Sequence, residues 1–140
     1  GPQAKITVAE LVPEVVTWAR GPMAAIFGDS LTDKRVDIRE VDVGTLMRAG
    51  APTYDAVLLD VDNGPDGLSR PANDGLYNAA GLEAARAALR PGGLLAVWSA
   101  APDRDFSQRL RRAGFAVEEI TARSRGTRGS KHVIWIGKTR

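Results

Sequence analysis

The sequence predicts an α/β domain in which a mostly parallel sheet carries helices on both faces and ends in a C-terminal antiparallel β-hairpin. Two observations predict the sheet: strand-like and helix-like patterns alternate along most of the chain, and two strand-like runs are continuously apolar. Such alternation favours parallel strands, and continuous apolar runs are typical of strands buried on both faces. A third observation predicts the hairpin, because the last two strand-like runs are joined by a connection containing Gly and Ser.

Each element follows from a local pattern. The strands are apolar or alternating runs that cover residues 5–11, 35–41, 54–61, 94–99, 115–122 and 132–137. The helices begin near Pro or a capping residue, end near Gly, and cover residues 13–20, 45–49, 75–89 and 103–113. Residues 23–34 stay ambiguous, and Arg90-Pro91-Gly92-Gly93 predicts a turn. Residues 62–74, rich in Gly, Pro, Asn and Asp, form a long loop of the kind that is usually functional.

The chain has 140 residues, which is enough for one domain with one hydrophobic core. Gly1-Pro2 resembles the remnant of a cleaved tag, so we set residues 1–4 apart as a disordered start. We assign residues 5–140 to a single domain.

The composition excludes several kinds of site. The sequence has no cysteine, which rules out a disulfide framework and a cysteine nucleophile, and favours a reducing, cytoplasmic location. His132 is the only histidine, so a centre with two histidine ligands is excluded and we expect no metal. No run approaches the roughly 18 consecutive apolar residues of a membrane-spanning helix, and the N-terminus shows no secretory signal. We therefore expect no membrane association.

Positive charge is concentrated near the C-terminal end, where residues 103–140 contain ten basic and four acidic side chains. Four of these cations lie between Arg123 and Lys131, in the connection of the predicted hairpin. Two interpretations stay open for them, a phosphate-binding loop and a solvated hairpin tip. Because no aromatic side chains are interleaved with the cations, nucleic acid is not an expected partner.

Acidic side chains follow three successive predicted strands. Glu10 ends the first strand, Asp42 follows the second, and Asp60 and Asp62 follow the third. Ligands of parallel sheets bind at the carboxyl ends of the strands, where a carboxylate accepts both hydroxyls of a ribose. Others at this edge would accept the exocyclic amine of adenine or take a proton from a reacting amine. The alternative is that each acid caps a turn or a helix.

Five segments together resemble the spermidine synthases, the polyamine aminopropyltransferases. These segments are Ile6–Arg20 (ITVAELVPEVVTWAR), Val36–Val43 (VDIREVDV), Tyr54–Asp60 (YDAVLLD), Leu76-Tyr77 and Leu89–Gly93 (LRPGG). The resemblance covers roughly residues 5 to 100. It implies a Rossmann-like fold of the class I S-adenosylmethionine-dependent methyltransferase type.

The resemblance also implies a nucleoside site. By position, Glu10 matches the acid that binds the ribose hydroxyls, and Asp42, with its neighbour Val43, matches the segment at the adenine amine. Asp60 matches the first acid of the loop beside the reacting amine, and it is also a candidate for binding the co-substrate. The implied co-substrate is decarboxylated S-adenosylmethionine or S-adenosylmethionine itself, with no metal.

The implied reaction moves an aminopropyl group to a polyamine acceptor such as putrescine. The attacking amine must lose a proton, so a carboxylate base is needed, and Asp60 and Asp62 are the candidates. Asn63 and Tyr77 are the candidate substrate-binding residues on the acceptor side. Tyr77 has two open interpretations, a pocket-lining side chain and a core side chain.

The sequence departs from the family in three places. The glycine-rich loop that precedes the first matched strand in the family is absent before Ile6. Asn63 stands where the family has its catalytic aspartate, although Asp62 is adjacent. The family's aromatic pair falls at Gly81-Leu82, and its polar residue at the end of the next strand falls at Trp98.

These departures predict that aminopropyl transfer is weak or absent in this chain. Two alternatives stay open: a non-catalytic domain that acts through oligomerisation or partner binding, and a small-molecule methyltransferase that uses S-adenosylmethionine. In the family, the strand before Ile6 is central, and without it the neighbouring strands are unpaired. We therefore expect a homo-oligomer, a dimer formed through the sheet.

The remaining aromatic residues divide by position. Trp18 and Trp135 are predicted core residues. Trp98 lies at a strand end, where it would stack on a base or sugar or pack under a helix. His132 begins a strand without a nearby acid or nucleophile, so we do not predict a catalytic role for it.

Overall fold

The computed structural model describes residues 1–60, 75–100, 102–123 and 129–140. Asp62 and Asn63, like the rest of the predicted long loop, lie outside the described residues. Within the described residues the chain forms two compact units, Gly1–Leu46 and Met47–Arg140, and each is described by itself.

The first unit contains a two-stranded parallel sheet. Its elements are β1 (Ile6–Glu10), α1 (Pro13–Arg20), α2 (Ala24–Phe27), a 3₁₀ helix (Gly28–Leu31) and β2 (Val36–Glu40), and α3 (Val43–Met47) begins at its end. The two strands pair from Ile6 opposite Val36 to Glu10 opposite Glu40. The prediction of both strands and of α1 is confirmed. Pro13 starts α1 because its missing N–H and fixed φ suit the first helical position.

A short ion pair leads into β2. Arg35 Nη2 lies 2.6 Å from Asp33 Oδ2, and the backbone N–H of Arg35 donates to Asp33 Oδ1 at 2.9 Å. These hydrogen bonds lower the pKa of the Asp33 carboxyl to about 2. Asp33 therefore stays ionised throughout the neutral range and holds the turn that starts the strand.

The second unit contains a mixed four-stranded sheet in the order β3-β4-β6-β5. Its elements are β3 (Tyr54–Leu59), α4 (Ala79–Ala88), β4 (Leu89–Ser99), α5 (Arg104–Arg112), β5 (Ala116–Arg123) and β6 (Lys131–Lys138). Only β3 and β4 are parallel, whereas β6 runs antiparallel to both β4 and β5. The predicted hairpin is confirmed, with β5 at the edge. The prediction of a mostly parallel sheet is wrong, because β6 lies between β4 and β5 and makes both of its ladders antiparallel.

The turn predicted at Arg90-Pro91-Gly92-Gly93 lies inside β4 as an irregularity. Tyr54 pairs with Leu89, whereas Ala56 already pairs with Leu94, so the extra residues of β4 form a bulge. Gly92 has φ +78° there, a conformation that a side chain disfavours. The predicted turn is therefore an irregularity within one continuous strand and not a boundary between two elements.

The helix predicted over residues 75–89 is interrupted at Asn78. Gly75 to Tyr77 are helical, but Asn78 adopts φ −80° and ψ 176° and becomes the N-cap of α4. Its Oδ1 accepts a hydrogen bond from the backbone N–H of Gly81 at 2.9 Å. A continuous helix was the wrong prediction, because the short Asn side chain offers the backbone a partner that a helix does not.

The two faces of the four-stranded sheet differ sharply. On the covered face, the side chains that alternate along the strands are at most 8% exposed: Val57, Leu59, Leu95, Val97, Val133 and Trp135. On the opposite face, here called the open face, Leu58 is 75% exposed, Leu94 40% and Ile120 41%. The prediction that residues 54–61 and 94–99 are strands buried on both faces is therefore wrong. Apolar composition alone does not distinguish a face that is buried from one that is not.

Trp135 is the centre of the covered face. It is fully buried, and its ring lies edge-on to Phe106 of α5 with the centroids 4.9 Å apart. Its Nε1–H donates to Ser107 Oγ at 2.8 Å and to Glu119 Oε2 at 3.2 Å, so the one polar atom of the ring is satisfied. The prediction of Trp135 as core is confirmed. Trp18 is 55% exposed, so the same prediction is wrong for it.

Asp103 should contribute strongly to the stability of α5. Its Oδ1 accepts from the Phe106 backbone N–H at 2.9 Å, and its Oδ2 accepts from Arg109 Nη2 at 2.9 Å. We expect Asp103→Ala to lower the free energy of unfolding by about 1–2 kcal/mol, measured by urea denaturation. Asp103→Asn should cost less, because an amide oxygen still caps Phe106. Asp105→Ala, at an exposed position of the first turn, is the control, and an equal loss there would contradict the capping role.

Candidate functional site

Two predicted site residues lie at strand ends of the first unit, and both cap local structure. Glu10 is the last residue of β1, and its Oε1 accepts from the Val12 backbone N–H at 2.8 Å. Asp42 follows β2, and its Oδ1 accepts from the Thr45 backbone N–H at 2.9 Å. The capping interpretation is therefore correct for both carboxylates. It does not exclude a ligand role, because a carboxylate has two oxygens and several lone pairs.

Glu10 retains an oxygen for a ligand. Among the described residues, only its Oε1 accepts a hydrogen bond, which leaves Oε2 without a partner there. Its side chain is half-buried, and Glu40 occupies the opposite register position on β2. Two carboxylates thus come from directly opposed residues at the carboxyl ends of two parallel strands. Carboxylate oxygens accept hydrogen bonds from hydroxyl and amine donors, so this strand end offers acceptors to a ligand.

The other predicted site residues belong to different parts of the chain. Val43 is the first residue of α3 and is half-buried. In the second unit, Asp60 directly follows β3 and is exposed. Tyr77 is 4% exposed, and its ring centroid lies 5.9 Å from that of Phe106. This is the packing of a core side chain.

Sequence reasoning missed two features. The first is Glu40, which was seen only as part of an alternating strand and whose position opposite Glu10 depends on the register. The second is a stacked pair formed by Trp98 and His132, with ring centroids 5.0 Å apart and an interplanar angle of 28°. The available signal was that Trp98 lies near a strand end. Its partner follows only from the register of β4 and β6, which local pattern does not give.

The described residues provide neither a metal-ion cluster nor a membrane-spanning helix. Among these described residues, no group of three or more His, Asp or Glu side chains is placed to hold a metal ion. No helix in the described ranges is long and apolar enough to cross a membrane. The first unit has a cavity whose lining residues include neither Glu10 nor Asp42; they are Ala19, Arg20, Ala24, Gly28, Leu31 and Thr32.

No protein-family model matches the sequence, and no curated protein matches it either. The structure, in contrast, is similar to solved structures of one class. The spermidine synthase from Thermotoga maritima has a TM-score of 0.76 at 13% sequence identity, covering 97% of this chain and 45% of that one. A spermidine synthase in complex with the transition state analogue AdoDATO has a TM-score of 0.73 at 15% identity, with the same two coverages.

The N-methyltransferase NodS from Bradyrhizobium japonicum WM9, in complex with S-adenosyl-L-homocysteine, is also similar. Its TM-score is 0.64 at 14% identity, and the match covers 96% of this chain and 66% of that one. The fold is therefore the α/β, Rossmann-like fold shared by spermidine synthases and class I S-adenosylmethionine-dependent methyltransferases. The expectation of a spermidine synthase-like, methyltransferase-like fold is confirmed. The chain spans less than half the length of the two spermidine synthases.

Proposed function

We propose that this chain binds an S-adenosylmethionine-type co-substrate and takes part in transferring a group from its sulfonium to a small acceptor. The observation that carries the proposal is Glu10, which ends a parallel strand with one carboxylate oxygen on Val12 and the other without a partner among the described residues. That second oxygen suits the hydroxyls of a ribose. Asp42 and Val43 follow the neighbouring strand and would lie toward the base. The similarity to proteins crystallised with AdoDATO and S-adenosyl-L-homocysteine supports this ligand class.

The transfer is a nucleophilic substitution at carbon. A lone pair of the acceptor forms a bond to the carbon attached to sulfur, the carbon–sulfur bond breaks, and its electron pair leaves with the thioether. The acceptor proton moves to a carboxylate, for which Asp60 and Asp62 are the candidates. Asp60 is exposed directly after β3, where its side chain is open to an acceptor.

The donor decides between two reactions of this type. Decarboxylated S-adenosylmethionine would give aminopropyl transfer to a polyamine, and S-adenosylmethionine would give methyl transfer. Asn63 stands where the spermidine synthase pattern has its catalytic aspartate, which favours methyl transfer or nucleoside binding alone. An amide does not accept the proton that an attacking alkylammonium must lose.

We expect the whole chain to bind methylthioadenosine and S-adenosylmethionine in calorimetric titrations. Glu10→Gln should weaken binding about tenfold or more, because it removes a charged acceptor while its amide oxygen still accepts from Val12. Glu14→Gln is the matched control, since Glu14 is an exposed acid in the first turn of the following helix and should leave affinity unchanged. Absence of heat and of thermal shift with both nucleosides would refute the proposal, as would equal losses from the two variants.

A further inference from the structure

The open face of the four-stranded sheet carries an aromatic pair at the carboxyl end of β4. Trp98 is the second-last residue of β4 and pairs in register with Ile134. His132 lies two residues before Ile134 on β6, so the two rings are diagonal neighbours on one face. Their centroids are 5.0 Å apart at 28°, which is a stacked geometry.

The pair is half-buried rather than enclosed. Trp98 and His132 are both intermediate in exposure, and Leu58 on the same face is 75% exposed. Half-buried aromatic rings on a face that also carries an exposed apolar side chain gain from being covered by a further apolar, planar group. The Nδ1 atom of His132 is buried without a hydrogen-bond partner among the described residues. Because no described hydrogen bond holds Nδ1, the described contact that orients the imidazole is its stacking on Trp98.

The same end of the sheet carries the carboxylate assigned to the acceptor. Leu59 pairs with Val97, and Asp60 and Trp98 are the residues that follow this pair on two parallel strands. Side chains alternate between the two faces along a strand. Ala122 and His132 form a pair on the open face, so the next pair, Arg123 and Lys131, has the parity of the covered face. At this end, Trp98 and His132 lie on the open face, and Asp60 follows β3 beside the strand that carries Trp98, whereas Arg123 and Lys131 have the parity of the covered face.

We propose that the acceptor is a planar heteroaromatic molecule with a nucleophilic N–H or O–H, and that its ring stacks on the Trp98–His132 pair. This inference rests on the proposed function, since it names the acceptor class of the same transfer. An extended aliphatic diamine has no ring to match the pair and buries far less apolar area against it. The heteroaromatic N–H or O–H would give its proton to Asp60 as the new bond to carbon forms.

The test is binding of quinolin-4-ol and of putrescine to the whole chain without a donor, followed by NMR titration. We expect quinolin-4-ol to bind and to shift the indole N–H signal of Trp98, but not that of the exposed Trp18. Trp98→Leu keeps an apolar side chain without a ring and should weaken binding about tenfold, within the range known for loss of a stacking side chain. Trp98→Phe should restore most of the affinity, and Trp18→Leu is the control.

Three outcomes would overturn the acceptor assignment: no binding of quinolin-4-ol to the folded chain, a shift of Trp18 rather than Trp98, or tighter putrescine binding that depends on Trp98. The last outcome would mean that the indole face holds an ammonium by a cation–π contact. Because no nucleoside is present, failure here is distinct from failure of the proposed function. That function is judged by methylthioadenosine binding and its dependence on Glu10. If Trp98→Leu does not fold, the Trp98 and Trp18 signals of the unaltered chain still decide the matter.

Discussion

Trp135→Ala is expected to lower the free energy of unfolding by about 3–5 kcal/mol, the usual cost of truncating a large buried aromatic side chain. The ring is fully buried and touches Phe106 edge-on, so its removal leaves a cavity that the surrounding strands and α5 cannot fill. The variant also removes the indole N–H that donates hydrogen bonds to Ser107 Oγ and Glu119 Oε2. Guanidinium denaturation followed by far-ultraviolet circular dichroism measures the loss without relying on tryptophan fluorescence.

Two variants divide this effect into its parts. Trp135→Phe keeps most of the ring and should cost about 1–3 kcal/mol, since Ser107 Oγ still donates to Glu119 Oε2 at 3.0 Å after the indole N–H is gone. Trp18→Ala removes the same side chain from a position that is 55% exposed and should cost far less. If Trp18→Ala proved as damaging as Trp135→Ala, the assignment of the core to the covered face would be wrong.

Gly81→Ala should be the most damaging single-methyl change in α4. A Cβ at Gly81 would overlap the backbone carbonyl oxygens of Gly75 and Leu76, and backbone atoms cannot move aside as a flexible side chain can. The close approach arises because the chain turns at Asn78 and brings the preceding helical turn over the start of α4. We expect a loss of about 1–3 kcal/mol in urea denaturation, the usual cost of overpacking.

Gly75→Ala is the matched control for Gly81→Ala. A Cβ at Gly75 has no atom of the described residues within 4 Å, and the residue is helical, so alanine should be neutral or stabilise by about 0.4–1 kcal/mol. The two glycines lie close in sequence, and the carbonyl oxygen of Gly75 lies where a Cβ of residue 81 would be. If the two substitutions changed the free energy of unfolding equally, glycine would matter here only through backbone entropy. The close approach of the chain at Asn78 would then be contradicted.

Local signals predicted most elements of the fold. Pro13 marked the start of α1, and Gly114, with φ +92°, marked the end of α5. Asp103 and Asp105 were both candidate caps of α5, and Asp103 is the one that caps it. The predictions that failed concern placement in three dimensions. Leu58 and Val57 are adjacent and equally apolar, but one is 75% exposed and the other 8%. Which of them is buried depends on the helices that pack on the sheet, and a strand pattern does not contain that information.

The candidate site divides in the same way. The position of Glu10 at a strand end and that of Asp42 after the next strand followed from sequence, because both are fixed by residues close along the chain. Glu40 opposite Glu10, and His132 against Trp98, depend on pairing between distant segments. The resemblance added the ligand class, which local patterns did not give. Asp62 and Asn63 lie outside the described residues, so their roles stay predictions.

The strand order has a consequence for the time course of synthesis. β6 follows β4 and β5 along the chain, although it lies between them in the sheet. On a ribosome, β5 emerges before the strand that joins it to β4, so this unit cannot grow in chain order. Val97 pairs with Trp135, and the ring of Phe115 lies beside Gly137, so both residues gain these neighbours only after β6 has been made. We therefore expect closure of this core to be a late event in synthesis, with the facing edges of β4 and β5 unpaired until β6 has been made.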